Sequence, residues 1–250
     1  MAMGLKSKEE IQLIRKAGQI VAACHKAIAR RIAPGVTTLE IDRFAERYML
    51  ERGALPAKKG YHGYPYAISA SVNEVVCNGL PNSEPLSQGD IVKIDMVADI
   101  NGWKVSSAWT YPIGDPASEI SSLLDVAKLA LNRGIMQAKP GNCLNDINHA
   151  IALYAERAGY QVITDCGGQG SSRVIHESLS SKVNSVGNDG QDQRFEEGMI
   201  ITIESILTAG QAAVGIAVNG WTARTIDGSV TAKFEHTVSI TDVGPIILTK

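Results

Sequence analysis

Three acids stand where a carboxylate could do chemistry. Asp95 closes GDIVKID, Glu204 closes GMIITIE, and Glu235 lies in KFEHT. Asp95 and Glu204 end apolar runs, and a carboxylate there is costly unless it has a partner. Three acids converging on one point repel, so at least one takes up a proton unless a cation sits between them. Oxygen-only ligand sets favour hard cations such as magnesium, calcium or manganese, as a metallohydrolase would use them. Asn78, Ser106 and Gln169, all neutral, stand between and around these acids. They support a second reading, in which buried carboxylates are satisfied by amide and hydroxyl donors. Spacing alone leaves both open.

The elements that must position these acids form a repeat. Ser7 with Glu10 makes a capping box that opens an amphipathic helix through about Ile32, and Pro34–Gly35 ends it. Thr37 with Glu40 opens a second helix that runs to Gly53. A third helix is expected from about Ser118 to Ala138, ending at Pro140–Gly141, and a fourth from Asn145 to Gly159. Pro34 and Pro140, Gly35 and Gly141, Ile41 and Ile147, Tyr48 and Tyr154, and Gly53 and Gly159 share one offset. At a similar offset, GDIVKID mirrors GMIITIE: a turn glycine, an apolar strand, then one acid. The spacing predicts a single domain over 1–250, with pseudo-repeat halves at about 7–110 and 117–245. Neither half should bury its strands alone, so helices should pack outside one shared curved sheet. Matching strand positions would then bring Asp95 and Glu204 together near the pseudo-two-fold axis. The stretch 184–193 reads as a surface loop.

Composition narrows the function classes. The chain has 250 residues, 44% hydrophobic and 20% charged, with a formal net charge of -2. That balance offers no basic surface for nucleic acid or for an acidic membrane. No apolar run approaches membrane-spanning length, and MAMGLKSKEE lacks the apolar stretch of a secretory signal. Cys24, Cys77, Cys143 and Cys166 contain no C-x-x-C pair and read as reduced thiols, each a small buried hydrophobe, in a cytoplasmic protein.

The motifs KSKEEIQLIRKAGQIVA, GYHGYPY, SVNEVVCNG, GDIVKIDM, IHES, GMIITIE, NGWTART and EHTVSIT…GPIILT cover nearly the whole chain. As an assembly, they resemble the type I methionine aminopeptidases. The resemblance implies an α+β, pita-bread (creatinase/aminopeptidase-like) fold: pseudo-two-fold halves and a curved antiparallel sheet covered by helices. That family binds two divalent cations, which activate a water for attack on the peptide bond after an N-terminal methionine. By motif, Asp95, Glu204 and Glu235 are its metal-ligand acids. Ser106 stands where the second aspartate is expected, Gln169 where the metal histidine is expected, and Asn78 at a histidine that handles the substrate amide. Ser69, Ser171, Ser172 and Ser205 also depart from the family pattern, whereas Tyr61, His62, Tyr64, His176 and Trp221 remain around the presumed cavity.

The scaffold motifs are intact and the departures cluster at the site, which points to a remodelled pocket, by selection or by engineering. The expected pocket comprises Tyr61, Tyr64, Ser69, Asn78, Ser106, Gln169 and Trp221. Its first expected use is metal-independent hydrolysis, with Cys166 or a serine such as Ser171 as nucleophile and His176 or His62 as base. The alternatives are an inactive binding module and a weak, one-metal aminopeptidase. No cofactor is expected beyond one weakly held divalent cation at Asp95, Glu204 and Glu235. The expected partner is a small molecule or short peptide held by a monomer, with no nucleic acid and no membrane. Lys104, two residues from Ser106 on one strand face, reads as a solvated lysine or an amine nucleophile.

Overall fold

The capping boxes form as the sequence predicts. The Ser7 N–H donates to Glu10 Oε2 at 2.8 Å, and the Thr37 N–H does the same to Glu40 Oε2 at 2.8 Å. They open α1 (Lys8–Ala29) and α2 (Thr38–Leu50). The second pair is α3 (Ser118–Ile135) and α4 (Leu144–Arg157). The α4 cap is Cys143, whose N–H donates to Asp146 Oδ2 at 2.8 Å. Cys143 is therefore a half-buried capping residue rather than the core hydrophobe expected of every cysteine; Cys24 is fully buried. The computed structural model describes residues 5–164 and 193–250. The sequence candidates Cys166, Gln169, Ser171, Ser172 and His176 lie outside the described residues, as does most of 184–193.

The strands are β1 (Leu55–Pro56), β2 (Ile68–Val72), β3 (Val75–Cys77), β4 (Ile91–Ile100), β5 (Trp103–Pro112), β6 (Gln161–Val162), β7 (Ile200–Thr208), β8 (Val214–Ile216), β9 (Ala223–Thr225), β10 (Thr231–Thr241) and β11 (Gly244–Ile247). The main sheet runs β1-β4-β5-β10-β7-β6, all antiparallel, with β2 added on β4 and β11 on β10. Its order is palindromic about the β5–β10 seam. β1, β4 and β5 thus stand in places mirrored by β6, β7 and β10; of these, the sequence repeat matched β4 with β7. Gly89 and Gly198 open β4 and β7 at φ of 89° and 90°, a left-handed backbone that glycine alone adopts freely.

Alternation along the strands sorts the two faces. Val92, Ile94 and Met96 of β4 pack with Val105 of β5 beneath α1 and α2. Ile201 and Ile203 of β7 pack with Ala232, Phe234 and Val238 of β10 beneath α3 and α4. Each helix pair thus covers its own half of one sheet face. The intervening residues, Lys93, Asp95, Glu204, Lys233 and Glu235, point to the opposite face. Part of that face is covered by the small sheet β3-β9-β8 through Val76, Ala223, Ile163 and Ile206.

His25 of α1 is wholly buried. It stacks on Trp109 with ring centroids 4.8 Å apart, and its Nδ1 lies 2.8 Å from the Tyr111 hydroxyl. Burial drives its pKa down to about 3, and burial likewise lowers His236, paired with Thr249, to about 4. Both rings are neutral in the folded protein, while the unfolded chain takes up protons below about pH 6.5. Their contribution to stability is complete above that pH and is lost as pH falls toward their folded values. We expect the stability lost between pH 7 and pH 4.5 to exceed that of His25→Gln by about 2–3 kcal/mol. Urea unfolding of both proteins at the two pH values measures the difference, and equal losses would show that His25 does not resist protonation.

Candidate functional site

The register of the sheet sets the site. Ser69 pairs with Asp95, Asp95 with Ala108, Ala108 with Glu235, and Glu235 with Glu204. These five residues form one row across β2, β4, β5, β10 and β7, all on the face away from the helices. Ala108 is the smallest member and leaves room at the middle of the row. Glu204 and Glu235 are cross-strand neighbours, and like charges placed so are destabilising unless neutralised.

The neutralising charge is a side chain. Lys233, two residues before Glu235 and so on the same face, sends its Nζ to all three acids. It lies 2.8 Å from Glu204 Oε2, 3.0 Å from Asp95 Oδ2 and 3.2 Å from Glu235 Oε2. Lys58, from the segment after β1, takes the other Asp95 oxygen at 3.0 Å and reaches Ser69 Oγ at 3.1 Å. The Ser106 hydroxyl donates a short hydrogen bond to Glu235 Oε1. Glu204 Oε1 is buried with no hydrogen-bond partner among the described residues.

The protonation states follow from this packing. Burial disfavours the Lys233 ammonium, but Asp95, Glu204 and Glu235 outweigh it and raise its pKa well above the ordinary lysine value. Burial also disfavours the Asp95 carboxylate, yet Lys233 and Lys58 hold it well below the usual range. Glu204 goes the other way. Burial, helped by the charge of Glu235, pushes it up to about 8 against the pull of Lys233. The two acids thus shift in opposite directions, Asp95 down beside two lysines and Glu204 up with burial.

Hydroxyls hold the seam that carries Lys233. Main-chain register between β5 and β10 is confined to Glu235 opposite Ala108. Thr110 Oγ1 accepts from the Lys233 N–H at 2.9 Å and donates to its carbonyl at 2.6 Å. Ser107 Oγ donates to the Glu235 carbonyl at 2.8 Å, and Thr237 Oγ1 to the Ser106 carbonyl at 2.8 Å. A second buried lysine, Lys93, braces the start of β10. Its Nζ donates to the Asn73 carbonyl at 2.5 Å, the Thr231 carbonyl at 2.9 Å and Thr231 Oγ1 at 3.0 Å. Burial lowers its pKa to about 7.

The aromatic candidates flank this cluster. Tyr64 is buried, and its hydroxyl donates to the carbonyls of Gly79 at 3.0 Å and Ile68 at 3.2 Å. Its ring lies 5.9 Å from Lys58 Nζ on one side and meets the edge of Trp221 at 5.2 Å on the other. Tyr61 and His62 pack against each other at 4.2 Å in the turn Tyr61–Gly63, where His62 is exposed with φ of 47°. Asn78 also has positive φ, 54°, and its carbonyl lies 3.5 Å from Thr222 Oγ1. Lys104, expected to be a solvated lysine or an amine nucleophile, is instead largely covered and pairs with Asp99 at 2.9 Å. Asp95, Glu204, Glu235, Ser69 and Ser106 are thus brought together. Tyr64 adjoins them through Lys58, and Trp221 adjoins Tyr64.

Sequence reasoning overlooked Lys233 and Lys58. The signal for Lys233 was its spacing: a lysine two residues before Glu235 in one strand must share that acid's face. Lys58 carried no such signal, because it lies in a turn.

Comparison with known proteins decides the family. The model for "Metallopeptidase family M24" matches residues 12–242. The chain belongs to this family. Methionine aminopeptidase 1 of Bacillus subtilis is 39% identical over 245 residues, 98% of each chain. Methionine aminopeptidase 2 of Mycobacterium tuberculosis is 39% identical over 98% of this chain and 85% of its own. Among solved structures, the methionine aminopeptidases of Rickettsia prowazekii and Thermotoga maritima each superpose with a TM-score of 0.95 over all of both chains, at 34% and 36% identity. The fold is the pita-bread fold of the family; prolidase from Pyrococcus furiosus shares it at a TM-score of 0.79 and 23% identity.

The side chains present do not fit the metal centre that the family implies. The volume among the three acids is taken by the Lys233 ammonium, and Asp95 has both oxygens engaged by lysines. Among the described residues, no group of three or more His, Cys, Asp or Glu is arranged to hold a metal ion. The cation demanded by three converging acids is present, and it is covalently part of the chain.

Removing one partner of a buried ion pair leaves the others uncompensated and costs about 3–5 kcal/mol. Lys233→Met should lose about that much at pH 7 and recover part of it near pH 5, where the acids take up protons. Lys58→Met should lose roughly half of that or less, because Lys58 is partly solvated and Lys233 still holds Asp95. Guanidinium denaturation of the two variants at both pH values gives these differences; a Lys233→Met protein as stable as the parent would contradict the packing.

Proposed function

We propose that this chain is a methionine-aminopeptidase scaffold whose dinuclear metal site has been dismantled, and that its remodelled site binds a ligand without metal-dependent peptide hydrolysis. The observation that carries the reading is Lys233 Nζ lying within 3.2 Å of Asp95, Glu204 and Glu235. An ammonium cannot polarise a carbonyl as a Lewis acid does, nor bring a bound water to a nucleophilic state near neutral pH. The ligand class is a short peptide or small molecule. The Tyr64–Trp221 pair offers it an apolar wall beside the polar cluster. We place the protein in the cytoplasm as a monomer without a nucleic-acid or membrane partner.

A second reading keeps hydrolysis without a metal. Two hydroxyls favour it: Ser69 Oγ accepts from Lys58 Nζ at 3.1 Å, and Ser106 Oγ donates to Glu235. Against it, Lys58 is committed to Asp95 as an ion pair and is not placed to act as a base for Ser69. Of the described imidazoles, His25 and His236 pair with Tyr111 and Thr249, and His62, the base candidate, packs against Tyr61 in an exposed turn. An acyl-enzyme burst with an activated ester, abolished by Ser106→Ala or Ser69→Ala, would favour this reading over the first.

The test of the main reading is metal content and turnover in the same sample. After incubation with excess manganese or cobalt and dialysis, we expect well under one equivalent of metal per chain. Hydrolysis of a Met-Ala-Ser peptide should stay at background, while peptides that bind raise the melting temperature without product. Two retained metal ions per chain with release of methionine would overturn the proposal.

A further inference from the structure

We infer that Lys233 is a tethered substitute for a divalent cation and is the residue that chiefly keeps one out, since it meets all three acids while Lys58 meets Asp95 alone. The inference rests on the reading of a metal-free site and goes beyond it, because it assigns the exclusion to one side chain rather than to the sum of the altered positions. Three observations support it. The three acids lie in one register row with the small Ala108 between Asp95 and Glu235, so the strands and not Lys233 set where the acids stand. Lys233 meets one oxygen of each acid at 2.8–3.2 Å, the contacts a cation at the centre of the cage would take. Ser106 Oγ on Glu235 and Glu204 Oε1, which has no hydrogen-bond partner among the described residues, leave further oxygen atoms at the same place. A set of carboxylate and hydroxyl oxygens without nitrogen or sulfur suits a hard cation such as manganese or magnesium.

The backbone that presents Lys233 is fixed independently of its side chain. Thr110 holds both its N–H and its carbonyl, and Lys93 holds Thr231 two residues before it. Substitution of the side chain should therefore empty the cage without moving the strand. The exclusion is electrostatic as well as steric, since a dication beside an ammonium within one carboxylate cage would be repelled.

The experiment is manganese binding to Lys233→Gln, followed by the loss of the free-ion paramagnetic resonance signal, with circular dichroism as the control for folding. We expect Lys233→Gln to bind one manganese ion per chain, more tightly than the parent by at least roughly 10–100-fold, and adding Asp95→Asn to abolish the gain. Lys104→Gln, which removes an equal charge at the Asp99 pair outside the cage, should gain nothing. Manganese should also raise the melting temperature of Lys233→Gln and not that of the parent. If Lys233→Gln folds only in the presence of manganese, that rescue supports the inference equally. A folded Lys233→Gln that binds no better than the parent overturns it, as does a variant that stays unfolded with or without manganese. Manganese bound tightly by the parent overturns instead the reading of a metal-free site.

Discussion

Three carboxylates on one face of one sheet impose a condition that the rest of the structure must meet. Their row runs Asp95, Ala108, Glu235, Glu204 across four strands. Such a row can be buried only if protonation or a compensating positive charge removes the repulsion, which grows as water is excluded. Lys233 meets the condition from within β10, and Lys58 completes it from the turn after β1. Burial raises the pKa of Glu204. Two lysines of the chain thus supply positive charge to the three acids.

The pseudo-symmetric architecture explains why the acids meet at all. Each half supplies a helix pair, a short strand and two long strands. The halves join where β5 lies against β10. That seam is sparsely paired through the main chain and is stitched by the hydroxyls of Ser107, Thr110 and Thr237. Both helix pairs pack on one face, leaving the other for polar side chains at the junction. A centre built on the seam draws on both halves, and its geometry is as rigid as the sheet that carries it.

Much of the fold was legible in the sequence because its signals are local. Capping boxes at Ser7 and Thr37 reported helix starts, and the shared offset of Gly35 with Gly141 reported the repeat. The convergence of Asp95 with Glu204 followed from matching strand positions. The charge balance of the site was harder to read. Three acids and three neutral neighbours drew attention, while Lys233 looked like one more polar residue of KFEHT. Its role depends on register between β10, β4 and β7, which a one-dimensional pattern does not contain. Lys58 depends on a turn folding back over β4. His25 is a buried packing histidine held by Tyr111 and Trp109, a role that depends on contacts between α1 and β5. The nucleophile–base pair built on Cys166, Ser171 and His176 falls outside the described residues, and His62 sits in an exposed turn against Tyr61.

The central claim is that a protonated lysine occupies the middle of the acid cage. Nitrogen-15 NMR of the lysine side chains reads this directly, since a buried, hydrogen-bonded ammonium exchanges slowly and keeps its three protons to high pH. We predict one such protected ammonium signal, absent from Lys233→Gln and persisting well above the pH at which the exposed lysines titrate. A Lys233 signal that exchanges and titrates like theirs would contradict the account.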